Sequence, residues 1–212
     1  MDGVTSYYTY SNMQSVSKEG LPAIIFIGHP ASRREKLQRF IGQFNEPVLL
    51  IWCGLLSDLD DDTLVDDKTV WHKKRQDFLS SFKAYKEHFG FDEKRVYLTG
   101  FSFAGVYAWM LAYDRPDLYA GVVAMSAVSY PEQIQQNLQS GESVVAVVVR
   151  GGNDEAFPER LEQEKQTGYV IESENPHSRF IIKQGEGHGD VAKYWVEYLR
   201  YILHFKKVRA DL

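Results

Sequence analysis

Arg95 to Gly105 reads RVYLTGFSFAG, and the fold turns on how this stretch is read. Val96 to Thr99 is a short apolar run of strand length. Gly-Phe-Ser-Phe-Ala-Gly follows, and Val106 onward continues as a helix former. A strand that passes directly into a helix leaves Ser102 exposed at the strand end. Such a turn is very tight. It strains the backbone at the serine and demands small residues two before and two after it. Gly100 and Ala104 meet that demand, and Gly105 allows the helix to pack closely. The turn aims the Phe103 N–H, at the helix N-terminus, to where a negative charge would settle. The plainer reading makes Ser102 a helix N-cap.

The pattern repeats on both sides. Strand-length apolar runs lie at Pro22 to Ile27, Pro47 to Cys53, Arg95 to Thr99, Gly121 to Met125, Val144 to Val149 and Arg179 to Lys183. Continuous β-branched runs suit strands buried on both faces, as in a parallel sheet. Between them, helical spacing is expected over Val70–Phe89, Ser102–Tyr113, Pro131–Leu138, Pro158–Thr167 (ended by Gly168) and Val191–Phe205. A weaker helix is read at Ser32–Phe40, and Ser6 to Gln14 is read as an edge strand or two. Strand and helix in alternation predict an α/β fold, a three-layer α/β/α sandwich on a mostly parallel sheet. Residues 1–212 read as a single domain without an inserted cap. Right-handed crossovers gather the strand-to-helix loops at one sheet edge, where chemistry is expected.

Val96 to Ala127, VYLTGFSFAGVYAWMLAYDRPDLYAGVVAMSA, resembles the nucleophile block of small α/β-hydrolases. The similarity is to the dienelactone hydrolase, acyl-protein thioesterase and polyhydroxybutyrate depolymerase-like esterase relatives. The resemblance implies a serine hydrolase with Ser102 as nucleophile. It places the acid in a Gly-x-x-Asp turn, which Asp154 of Gly151-Gly152-Asn153-Asp154 matches, with Asn153 and Glu155 as alternatives one position away. It places the base in a glycine-flanked loop before the last helix, which His188 of Gly187-His188-Gly189 matches. Of the six histidines, only His188 and His29 fall firmly on the catalytic edge. The chain order Ser, Asp, His is the one this fold uses.

The resemblance also implies two oxyanion-hole donors. Phe103 N–H is the first. The second belongs to Gly28-His29-Pro30-Ala31-Ser32, which departs from the family's His-Gly pattern. Pro30 has no N–H to donate, so Ala31 N–H is expected, or His29 N–H in the other register. Phe101 and Phe157 are read as substrate contacts, with Phe103 also beside the nucleophile. Trp52, Trp71, Tyr107, Trp109 and Trp195 are read mainly as packing. The expected reaction is hydrolysis of a carboxylic ester or thioester through an acyl-enzyme. A serine peptidase or acyltransferase on the same residues is the alternative, and a non-catalytic binding protein the third reading.

Composition narrows the partners. The chain has 212 residues, a net charge of -5 and 44% hydrophobic residues. That is an ordinary globular balance, and its acidity makes it a poor counter-ion for nucleic acid. The one cysteine, Cys53, excludes an intramolecular disulfide and a cysteine-based zinc site. No cofactor or metal is expected. Asp58, Asp60, Asp61, Asp62, Asp66 and Asp67 crowd one loop, which reads as a solvated face rather than a cation site. No apolar run has the length of a membrane span. Met1 to Tyr10 lacks a basic segment followed by an apolar one, so a cytoplasmic location is expected, a trimmed secreted chain being the alternative. The expected partner is a small-molecule ester or thioester, with no nucleic acid and no membrane, bound by a monomer or homodimer.

Overall fold

All six apolar runs are strands in the computed structural model, which describes residues 6–10, 20–28, 33–56, 68–127, 144–156, 158 and 161–207. The chain forms two compact units, Met1–Asp92 and Glu93–Leu212. Within the first, β1 (Ser6–Tyr10), β2 (Ala23–Ile27) and β3 (Leu49–Cys53) lie in the order β1-β3-β2. β2 runs parallel to β3, with Ala23 opposite Leu49 and Ile27 opposite Cys53. β1 is the expected edge strand, antiparallel to β3. Every residue of β2 and β3 is buried, which explains their unbroken apolar sequence. Phe26 stacks on Trp52 and on Phe40 of α1 (Arg33–Ile41).

The long helix α2 (Lys68–Phe89) follows β3. Phe78, Phe82 and Tyr85 form its buried stripe, at the spacing expected of a helix face against a core. Lys74, also buried, donates from Nζ to the Leu55 carbonyl at 2.8 Å. Burial pushes the Cys53 thiol up to about 12, so it stays protonated and a poor nucleophile.

The second unit carries four parallel strands: β4 (Val96–Phe101), β5 (Gly121–Met125), β6 (Val145–Gly151) and β7 (Arg179–Lys183). The register aligns their C-terminal ends. Phe101 lies opposite Met125, and Met125 opposite Val149. One residue further along, the ladder continues with Ser102 N–H donating to Met125 O and Ser126 N–H to Val149 O, each at 2.7 Å. Helix α3 (Phe103–Asp114) is apolar on every side and buried from Ala104 to Ala108, as an enclosed helix must be. Trp109, Tyr107 and Trp195 are core residues, and so is Trp52 in the first unit.

Two helix expectations are corrected. The helix read as ending at Gly168 is α4 (Leu161–Glu174), which runs straight through that glycine. A Cβ at Gly168 would lie 2.5 Å from Phe180 Cγ of β7. The glycine is there for the close approach of helix to strand, and it does not stop the helix. On the same side, Glu172 Oε1 accepts the Phe180 backbone N–H at 2.8 Å. The last helix is shorter than Val191–Phe205. It opens as a tight 3-10 turn, Asp190–Tyr194, before α5 (Trp195–Ile202). Past α5, Tyr97 Oη donates to the Phe205 carbonyl at 2.5 Å, which fixes the chain where the helix stops. Helix Pro131–Leu138 and the loop carrying Asp58 to Asp67 lie outside the described residues.

Two outcomes follow. Gly168→Ala forces α4 off Phe180 and is expected to lower stability by about 1–3 kcal/mol despite alanine's better helix propensity, read as a lower urea midpoint. Cys53 is expected to resist thiol-directed alkylation in the native protein at pH 8 and to react fully once the chain is unfolded, measured by mass.

Candidate active site

β4 ends at Phe101, α3 begins at Phe103, and Ser102 is the single residue between them. Its φ of 54° and ψ of -126° are the strained angles the sequence predicts. A Cβ on Gly100 would sit 2.2 Å from the Ala104 carbonyl oxygen, so the turn closes only over glycine. Ser102 stands at the N-cap position, yet its hydroxyl makes no cap hydrogen bond. That removes the plainer reading. Ser102 Oγ lies 2.9 Å from His188 Nε2 instead. The first helical N–H groups to bond back are those of Gly105 and Val106, both to Ser102 O. The Phe103 N–H therefore has no intrahelical carbonyl.

Asp154 Oδ2 lies 2.9 Å from His188 Nδ1. Its other oxygen accepts the Ala156 N–H at 3.0 Å, which turns the chain back on itself. The Asp154 side chain is 3% exposed and that of His188 28%. Asn153 and Glu155, the neighbouring alternatives, are both exposed. A carboxylate can only accept, so Nδ1 carries the imidazole proton and Nε2 is left to accept from the Ser102 hydroxyl. Hydroxyl, imidazole and carboxylate form one hydrogen-bonded chain, all within the Glu93–Leu212 unit.

Backbone hydrogen bonds hold the Asp154 turn against the His188 loop. Gly152 N–H donates to Lys183 O at 2.8 Å and Asn153 N–H to Glu186 O at 2.9 Å. Past the histidine, Asp190 Oδ2 accepts the Gly187 N–H at 2.8 Å. Glu186 is held by Lys193 and by Tyr194 Oη, and these contacts keep its carboxyl below the usual range. Gly151 sits where the two segments touch. A Cβ there would be 2.4 Å from Glu186 O and 2.6 Å from Gly187 O.

The Phe101 ring meets the His188 imidazole edge to face, with centroids 5.3 Å apart, and also contacts Trp195. Trp195 Nε1 donates to Thr99 Oγ1, which donates in turn to Val123 O, so this wall is anchored in β4 and β5. Phe103 turns its ring onto Tyr107 of its own helix. His29, Ala31 and Phe157 lie outside the described residues. Among the described residues no cluster of three His, Cys, Asp or Glu side chains could hold a metal ion, and no helix is long and apolar enough to cross a membrane.

Sequence reasoning missed Ser126. It directly follows β5 and donates from Oγ to the His188 carbonyl at 2.6 Å. Its only local signal is its place at the C-terminal end of a parallel strand.

The architecture is that of the α/β-hydrolases. Esterase PE8 is similar over 94% of this chain and 99% of its own, at 15% identity and a TM-score of 0.70. Est1E from Butyrivibrio proteoclasticus is similar over 95% and 93%, at 14% identity and 0.68. An acylaminoacyl peptidase from Pyrococcus horikoshii matches 96% of this chain but only 38% of its own, at 14% identity and 0.64. Residues 71–195 match the model of the "Putative esterase" family, and the chain belongs to that family. No curated protein matches it closely enough to count as a relative.

Gly151→Ala is expected to push the His188 loop off the Asp154 turn. The measurement is the downfield proton resonance of an imidazole bonded to a carboxylate, which should be present in the wild type and broadened or lost in the variant.

Proposed function

We propose that the chain is a serine hydrolase that cleaves a carboxylic ester or thioester through an acyl-enzyme. The observation that carries this is the 2.9 Å approach of Ser102 Oγ and of Asp154 Oδ2 to opposite nitrogens of one imidazole. Family membership supports ester hydrolysis in general.

In the proposed reaction His188 Nε2 takes the Ser102 proton as Oγ bonds to the substrate carbonyl carbon. The negative charge moves to the carbonyl oxygen and is met by the Phe103 N–H at the start of α3. A second donor is assigned to Ala31 N–H, with His29 N–H as the other register. The tetrahedral species collapses, the bond to the leaving oxygen or sulfur breaks, and His188 returns the proton to that atom. Water then gives a proton to His188 and adds to the acyl carbon. Ser102 Oγ departs with that proton, and the acid is released. Asp154 orients the imidazole and stabilises its charged form throughout. Phe101, beside the imidazole, and Phe157 are the proposed substrate contacts.

A fluorophosphonate is expected to add once to the wild-type protein, at Ser102, as read by intact mass and peptide mapping. Ser102→Ala should show no adduct and should lower kcat on short-chain p-nitrophenyl esters by about 10⁴-fold or more. Turnover of acyl-CoA would assign the thioester branch, and turnover of blocked peptides the peptidase branch. A folded wild type that neither labels nor turns over any of the three would sink the assignment and leave a hydrolase fold used for binding.

A further inference from the structure

Two non-glycine residues among those described have positive φ, Ser102 at 54° and Ser126 at 48°. L-residues adopt that region at a cost, and it persists where surrounding contacts enforce it. Both residues hold the same histidine. Ser102 Oγ meets its ring at Nε2, and Ser126 Oγ donates to its main-chain carbonyl at 2.6 Å.

Ser126 is well placed to hold something still. It is 3% exposed. Its N–H is bonded to Val149 O, the same kind of ladder bond that ties Ser102 N–H to Met125 O. The hydroxyl is thus fixed to the parallel sheet one strand over from Ser102. His188 sits between two glycines in a loop, and glycines on both sides leave the backbone wide rotational freedom. The bonds at Glu186 and Gly187 hold the approach to His188, and Ala192 N–H to Gly189 O holds the exit. Ser126 is the tie made at the histidine's own peptide. The imidazole can reach Nε2 to Ser102 and Nδ1 to Asp154 together only if its Cα stays within a few tenths of an ångström of one place.

We propose that Ser126 is a positioning residue: its hydroxyl pins the main chain of His188 to the sheet, so that the imidazole stays aligned on Ser102 between turnovers. This rests on the assignment of His188 as the base for Ser102. The role belongs to the hydroxyl, whereas the positive φ belongs to the backbone turn, and the two can be separated. Glycine adopts φ near 48° without strain, so Ser126→Gly keeps the turn and deletes only the donor. Ser126→Ala deletes the donor and keeps the strain.

The experiment compares wild type, Ser126→Gly and Ser126→Ala in three measurements: ester kinetics, the rate of fluorophosphonate labelling and thermal unfolding. Expected for Ser126→Gly is a kcat lower by roughly tenfold, KM within about twofold, labelling slowed by the same factor and an unfolding midpoint no lower than wild type. The downfield imidazole proton should broaden in parallel. Wild-type kcat and labelling rate in a folded Ser126→Gly overturn the proposal. So does a loss of kcat that appears only where the midpoint also falls, since that is the mark of a purely structural residue. If Ser126→Gly does not fold, Ser126→Ala is read by the same criteria. Failure of the wild type itself to label is a different result: it removes the assignment of Ser102 and His188, and this proposal with it.

Discussion

An imidazole bonded on one side to a carboxylate and on the other to a hydroxyl is the constraint around which the second unit is organised. Three side chains must meet within hydrogen-bond distance, and they come from the ends of β4 and β6 and from the loop after β7. Side chains alone do not achieve this. The parallel register brings Phe101, Met125 and Val149 into one row. The backbone then knits the Asp154 turn to the His188 loop through Gly152 and Asn153. Each of these bonds is worth about 1 kcal/mol net. Their value here is geometric, because they remove the freedom a glycine-rich loop would otherwise have.

The packing beneath the site serves the same end. Helix α3 has no polar face and is packed into the core, so the turn at Ser102 is held by a helix fixed by its neighbours' side chains. The Phe101 ring stands against the imidazole and leans on Trp195, whose indole N–H is tied through Thr99 to β5. One side of the histidine therefore rests against the Phe101 ring. The residue read from the sequence as a substrate contact is also a support for the imidazole.

Much of the candidate site was legible because its backbone demands are local. A strand that meets a helix at one residue needs small neighbours, and Gly100, Ala104 and Gly105 announce it. Asp154 was legible because it follows a buried strand at a glycine-rich turn, and His188 because it stands between glycines in the loop after the last strand. What stayed hidden was tertiary. Gly168 carries the ordinary signal of a helix end, and only the Phe180 ring beside it explains why the helix continues. Ser126 is an unmarked serine in Met-Ser-Ala, and its partner is 62 residues away. The helix read through to Phe205 ends at Ile202, and Tyr97, from a distant strand, takes the Phe205 carbonyl beyond it.

The carboxylate of Glu172, bonded to the Phe180 N–H, has a meaning for the molecule in a crowded solution. β7 is the last strand of its sheet, and the outward N–H and C=O groups of a last strand invite another extended chain to add on. Here the N–H of Phe180, the second residue of β7, is already occupied by a carboxylate from α4. A stray segment laid along that border would have to evict the carboxylate and leave a negative charge without its partner. The Glu172 carboxylate thus blunts one position of that edge against pairing with another copy of the chain.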